Sequence, residues 1–183
     1  MMKRKENYTQ PSNPLLALFL VFIQPTRNPF VRWSGVASRV AMAADALIDS
    51  GAIVAMLDKT DPWHRLCLEA FRQLHLPLLT SEAVLTEVFH FIGEAQSKME
   101  NAWKFIRSGA LVLAKIDHDE LPQIHALMSQ YRDCPMDFAD ATLVHLAKRE
   151  SISAILAIDH ADFTTYRIEG KRRFKILPVD RPR

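Results

Sequence analysis

From residue 45 onward, short apolar runs alternate with stretches of helical periodicity, and this alternation constrains the chain more than any other feature. Ala46-Leu-Ile48 is an apolar run closed by Asp49-Ser50, and a helical stretch follows from Gly51 over Ala52 to Leu57. Pro62 starts a second helix with Leu66, Ala70, Phe71 and Leu74 on one face. Leu76 to Leu79 reads as a buried strand, with Thr80-Ser81 as the cap of a helix that turns Val84, Leu85, Val88, Phe89 and Ile92 inward and stops near Gly93. A helix over Met99–Arg107 ends at Gly109, and Ala110–Ile116 is the third strand. The rest is an amphipathic helix from Asp119 to Tyr131, a helix over 138–149, a strand over Ala154–Ile158, a short helical segment and a last strand over Phe174–Leu177. Such alternation implies an α/β fold, a parallel sheet covered by helices on both faces. Sites in these folds form beyond the carboxyl ends of the strands.

Residues 1–44 differ in kind. They carry Lys3, Arg4, Lys5, Arg27, Arg32 and Arg39 against one acid, Glu6, a balance of +5. Four prolines, Pro11, Pro14, Pro25 and Pro29, interrupt a stretch without sustained apolar period, so residues 1–43 read as a poorly ordered extension. The apolar run Leu15–Ile23 is too short for a membrane helix, which needs about 20 residues. Polar Gln24 to Val40 separates it from the small residues Ala41-Met42-Ala43-Ala44, which argues against an export signal. Met42 is an alternative start that would leave residues 1–41 outside the native protein. The domain is then residues 44–179, with 180–183 as a tail.

Several chemistries are absent. Cys67 and Cys134 form no CxxC pair, which excludes a zinc ribbon or disulfide scaffold and favours a reducing, cytoplasmic setting. The five glycines never cluster into a phosphate-binding loop or a dinucleotide turn. No GxSxG elbow or HExxH pair occurs; His90 and His145 sit within helices, and Trp63 and Trp103 read mainly as core. The net charge of +2 argues little for a nucleic-acid binder until it is divided: residues 45–183 hold 17 basic and 20 acidic side chains, a balance of −3.

Part of that acid falls where the fold puts its sites. Asp49 and Asp159 terminate strands, Glu87 lies about two turns into the helix after the second strand, and Asp137 and Asp140 share a helix face. Singly, each has an ordinary account: Asp137 as an N-cap, Asp140 as a first-turn acid, Asp49 and Asp159 as turn formers, Glu87 as a half-exposed helix residue. Converging from four elements, they would instead call for hard divalent cations with oxygen ligands, which activate water and stabilise a phosphodiester in in-line displacement. Arg167, Lys171, Arg172, Arg173 and Lys175 are candidate contacts to RNA phosphates, or else a solvated turn.

Ala46-Leu-Ile-Asp49-Ser50, Leu85-Thr-Glu87-Val88, Asp137-Phe-Ala-Asp140-Ala141 and Ala157-Ile-Asp159-His-Ala-Asp162-Phe163, in this order, resemble the successive signatures of PIN-domain ribonucleases, in particular VapC-type toxins of toxin–antitoxin pairs. The resemblance covers about residues 44–179. It implies a three-layer α/β/α sandwich and a Mg²⁺- or Mn²⁺-dependent endoribonuclease that leaves a 5′-phosphate and a 3′-hydroxyl. Asp49, Glu87, Asp140 and Asp159 match the acidic quartet, Asp137 is an accessory ligand, and Ser50 matches a hydroxyl that follows the first Asp. A cognate antitoxin and a homodimer are the implied partners. One departure is Ala157, where the family carries Thr or Ser. The alternatives are a stand-alone RNA-processing nuclease, and a non-catalytic binding module that keeps the fold.

Overall fold

The computed structural model describes residues 44–134 and 136–182. The expectations for residues 1–43, including the apolar run and the alternative start, lie outside the described residues. Five strands, β1 (Ala46–Ile48), β2 (Leu78–Ser81), β3 (Leu111–Ala114), β4 (Ala154–Leu156) and β5 (Lys175–Leu177), form one sheet in the order β3-β2-β1-β4-β5. All four pairings are parallel. Between them run α1 (Ser50–Leu57), α2 (His64–Arg72), α3 (Glu82–Ile92), α4 (Gln96–Ile106), α5 (Leu121–Gln130), α6 (Phe138–Arg149) and α7 (His160–Thr165).

Strand order explains the layering. The chain steps outward from β1 through β2 to β3, then returns past β1 to β4 and β5. Right-handed crossovers place the helices of the outward steps on one face and those of the return steps on the other. The order reverses between β1 and β4, whose registered pairs are Ala46–Ala154, Leu47–Ile155 and Ile48–Leu156. The crevice beyond their carboxyl ends is the place where such sheets bind ligands. β1 is central, and its three side chains are fully buried. Truncating Leu47 to alanine there would cost about 2–5 kcal/mol through lost burial and the cavity left behind.

Element ends differ from the sequence reading for local reasons. β2 begins at Leu78 rather than Leu76, since Pro77 has no N–H to give a neighbouring strand; Leu78 N–H donates to the Ala110 carbonyl at 2.9 Å. Ser81 alone caps α3, accepting from Val84 N–H, while Thr80 belongs to the strand and donates its hydroxyl to the Ile48 carbonyl. The second helix begins at His64, because a turn over Asp61–Trp63 precedes it. β3 keeps only Leu111–Ala114 of the expected Ala110–Ile116, and β4 stops at Leu156. The helix expected from Asp119 opens as a 3₁₀ turn over His118–Glu120 before α5. Trp103 is not core: its side chain is half exposed on α4, where it packs against Phe89 at 4.9 Å between ring centroids.

Candidate active site

Asp49 leaves the carboxyl end of β1 and caps α1, accepting from Gly51 N–H at 3.4 Å. Only 7% of it is exposed. Gly51 lets α1 begin against the end of β4, since a Cβ there would stand 2.7 Å from Ile158 Cγ1. The next residue, Ser50, is buried and donates its hydroxyl to Glu87 Oε2 at 2.7 Å, with Asp49 Oδ1 3.4 Å away. One hydroxyl thus ties the first carboxylate, from β1, to the second, from α3.

Asp140 arrives from α6. Its N–H is capped by Asp137 Oδ1 at 2.8 Å, and its own Oδ2 accepts from the hydroxyl of Tyr166 at 3.0 Å. α6 is locked to α3 by a buried hydroxyl pair, Ser81 Oγ to Thr142 Oγ1 at 2.7 Å. Thr142 spends its own proton on the Ala139 carbonyl, so Ser81 is the donor between the two helices. That bond holds the helix of Glu87 against the helix of Asp140.

The electrostatics of this corner are those of crowded anions. Burial raises the Asp49 carboxyl to about 6, against the pull of the Ser50 and Gly51 amides, with repulsion from Asp137 added. Glu87 is raised to about 7 by burial, opposed by the Ser50 hydroxyl and reinforced by Asp137 and Asp49. Asp140 reaches about 8 through burial and then the charges of Asp137 and Asp49, with the Tyr166 bond pulling the other way. Among the described residues, no lysine or arginine forms an ion pair with Asp49, Glu87, Asp137, Asp140, Asp159 or Asp162.

The expected quartet is therefore rearranged in emphasis. Asp137, read from sequence as accessory, faces Asp49, Glu87 and Asp140 together. Asp159 is exposed, caps α7 through Asp162 N–H at 3.2 Å, and meets the others by way of Asp162. Asp162 is itself raised by burial and by Asp159, and its charge reaches Asp140. Tyr166 was missed by sequence reasoning, because a tyrosine 26 positions from Asp140 carries no local signal; its position one turn past the Asp162-Phe163 pair was the sole hint. Its hydroxyl is pushed above the ordinary range by burial and by Asp140, so it stays a donor. Ala157 is fully buried and gives its N–H to the Leu177 carbonyl.

The basic candidates stand apart from the acids. Arg167 donates one guanidinium nitrogen to the carbonyls of Thr164, Thr165 and Tyr166, where a cation suits the end of α7. Arg172 donates to the Ser151 carbonyl at 2.6 Å. Lys171, Arg173 and Lys175 are exposed.

An all-oxygen set with no basic ion-pair partner among the described residues matches the chemistry of Mg²⁺ or Mn²⁺. Among the described residues, no three His, Cys, Asp or Glu side chains are closed around a point as in a finished metal cage, a spread that repulsion between carboxylates favours. The described residues also contain no helix long and apolar enough to cross a membrane.

The family model described as PIN domain matches residues 46–171. Ribonuclease VapC26 of Mycobacterium tuberculosis is 27% identical over 134 residues, covering 72% of this chain and 99% of that protein. Among solved structures, the sarcin-ricin loop cleaving toxin VapC20 of Mycobacterium tuberculosis matches with a TM-score of 0.58 at 17% identity. That match covers 63% of this chain and 90% of the other, and the likeness is one of fold.

Proposed function

Since the chain belongs to the PIN-domain family, we propose that it is an endoribonuclease, the toxin of a toxin–antitoxin pair, working with Mg²⁺ or Mn²⁺ in the cytoplasm. The observation that carries this reading is the convergence of buried Asp49 with half-buried Glu87 and Asp140, all raised and without a basic partner among the described residues, at the switch point of the sheet. The name of the relative VapC26, a ribonuclease, supports the substrate class.

Asp49, Glu87, Asp140 and Asp137 would hold the ion, with Asp159 and Asp162 at its margin. Bound there, a divalent cation supplies an activated water and neutralises charge developing on the phosphate. The chain's own contribution is orientation. Ser50 holds Glu87 Oε2, and the Gly51 amide holds Asp49 Oδ2. Tyr166 holds Asp140 Oδ2 and so fixes the orientation of that carboxylate. Lys171, Arg173 and Lys175 are free to meet RNA phosphates at the surface, a salt-sensitive contact. We assign the product ends as 5′-phosphate and 3′-hydroxyl. The partners of this reading are an antitoxin that offers a basic side chain to the acidic corner and a second copy of the chain.

The test is cleavage of structured RNA with mapped ends, comparing the natural protein with Asp49→Asn. Asparagine still caps a helix, so α1 is kept while the charge is lost. Mn²⁺-dependent cuts that vanish in the variant support the proposal; equal cutting by both proteins ends it.

A further inference from the structure

Beside the acids, on the far side of Asp159, lies a cavity of about 340 Å³ lined by Trp63, Ile158, Asp159, His160, Ala161 and Arg181. Its size is in the range of small-ligand sites. Trp63 is half-buried and held at its backbone by Asp61, whose Oδ1 accepts from Trp63 N–H at 2.7 Å. Its ring meets that of His160 at 5.3 Å between centroids, inclined by 39°. The His160 imidazole lies near the Pro178 carbonyl, yet its Nε2 is buried with no hydrogen-bond partner among the described residues. With Nε2 shut off from solvent, the imidazole serves as a packed backing for the Trp63 ring. Arg181 makes no ion pair among the described residues and also lines a second cavity with Arg65 and Pro62.

These groups form a coherent set: a flat ring with a packed backing, and a guanidinium without an ion pair among the described residues. Unstacked RNA bases are held by aromatic and imidazole faces, by arginine planes, and by hydrogen bonds to their edges. The neighbouring wall, Asp159, belongs to the acidic corner. We propose that the Trp63–His160–Arg181 cavity is a nucleobase subsite, taking one base of the RNA strand next to the phosphate being cut. Trp63, backed by His160, stacks on the base, and Arg181 holds the phosphate that leads away past Arg65. The subsite makes cleavage base-selective at one flanking position. The proposal rests on the nuclease reading above.

The test uses the full chain with Mn²⁺ and an RNA randomised around a single cut. The natural protein should favour particular bases at one flanking position. Trp63→Leu should flatten that preference roughly tenfold, in line with the worth of one base stack, whereas Arg181→Ala should weaken RNA binding alike for every base; Mn²⁺ affinity and the other positions stay as they were in both. If Trp63→Leu fails to fold, Trp63→Phe decides the matter, its smaller ring narrowing the preference severalfold while an aromatic face is kept against His160. Unchanged preferences in a folded Trp63 variant overturn the subsite and leave the cavity to a protein side chain. A second arm omits metal: polarisation of a labelled short RNA in EDTA, with one nucleotide at a time made abasic. One position should matter in the natural protein and cease to matter in the Trp63 variants; equal losses at every position count against the subsite. Absence of any cleavage by the natural protein would sink the nuclease reading, and the metal-free arm then judges the subsite alone.

Discussion

The two ends of α6 hold carboxylates in opposite conditions. At its start, Asp140 and its neighbours Asp49 and Glu87 are raised to about 8, 6 and 7. Near its end, Glu120 is met by His145 at 2.8 Å and by Arg149 at 2.8 Å, both from α6. Burial opposes the Glu120 charge, but His145, Arg149 and the Asp117 amide outweigh it and lower the carboxyl to about 2. One group of acids is matched from within the chain and ties α6 to the turn before α5. The other has no ion pair among the described residues. Counter-charge at one end of the helix and none found at the other is the contrast on which the proposed cation site rests.

The largest expected effect comes from removing one unmatched charge. Asp140→Asn should lower RNA cleavage by roughly a thousandfold, the several kcal/mol that a well-placed cation contributes to a phosphoryl transition state. The same variant should melt higher than the natural protein at pH 8 without metal, because a desolvated and repelled carboxylate has gone. A loss of activity together with a loss of stability would break the contrast between the two ends.

The next effect is the response to metal and pH. In an unfolded chain Asp and Glu ionise near 4, whereas these three hold protons in the fold to about 6, 7 and 8. The folded state binds more protons across that window, so the metal-free protein should lose stability as pH rises from about 4 to 8. Mn²⁺ at a hundred times its dissociation constant should restore about 2.7 kcal/mol, read as a rise of several degrees in melting temperature. At one fixed Mn²⁺ concentration the rise should be larger at pH 8 than at pH 5, where protons already occupy much of the cluster.

Tyr166→Phe sharpens the comparison more finely. It deletes one hydroxyl from a ring wedged between Tyr131 at 5.1 Å and Phe163 at 5.7 Å. Loss of an orienting hydrogen bond should weaken Mn²⁺ binding by about tenfold, followed by titration calorimetry, with metal-free melting little changed. The smallest effect belongs to the matched end. Glu120→Gln should cost about 1 kcal/mol in denaturant unfolding and leave cleavage untouched. Because the folded Glu120 is lowered, its contribution is whole above about 4.5 and fades as pH falls through about 2, opposite in direction to the acidic corner.

Much of this was legible in the sequence. The alternation of apolar runs and helical periods predicts all five strands, and burial confirms the pattern most clearly at β1, where all three residues are interior. Edges were less legible. β3 has a neighbour on one side only, and Leu113 is 38% exposed, so apolar residues there extend past the paired segment. The acids at strand and helix starts were found, since Asp49, Asp137 and Asp159 also carry the capping signature. Their relative weight was not, because it depends on which side chains meet. Asp137 and Asp140 lie one turn apart, and tertiary packing of α6 on α3 turns both toward Asp49 and Glu87. Tyr166 and the Trp63–His160 contact span 26 and 97 positions, and no local pattern reports such pairs.

The proposed cation site is tested most directly by a calorimetric titration of the metal-free protein with Mn²⁺ at pH 8, run beside the same titration of Asp49→Asn/Asp140→Asn. Saturable binding to the natural protein, abolished in the double variant, is the predicted result. Absence of binding to the natural protein, or equal binding to both, would contradict the claim that the unmatched acids are a cation site.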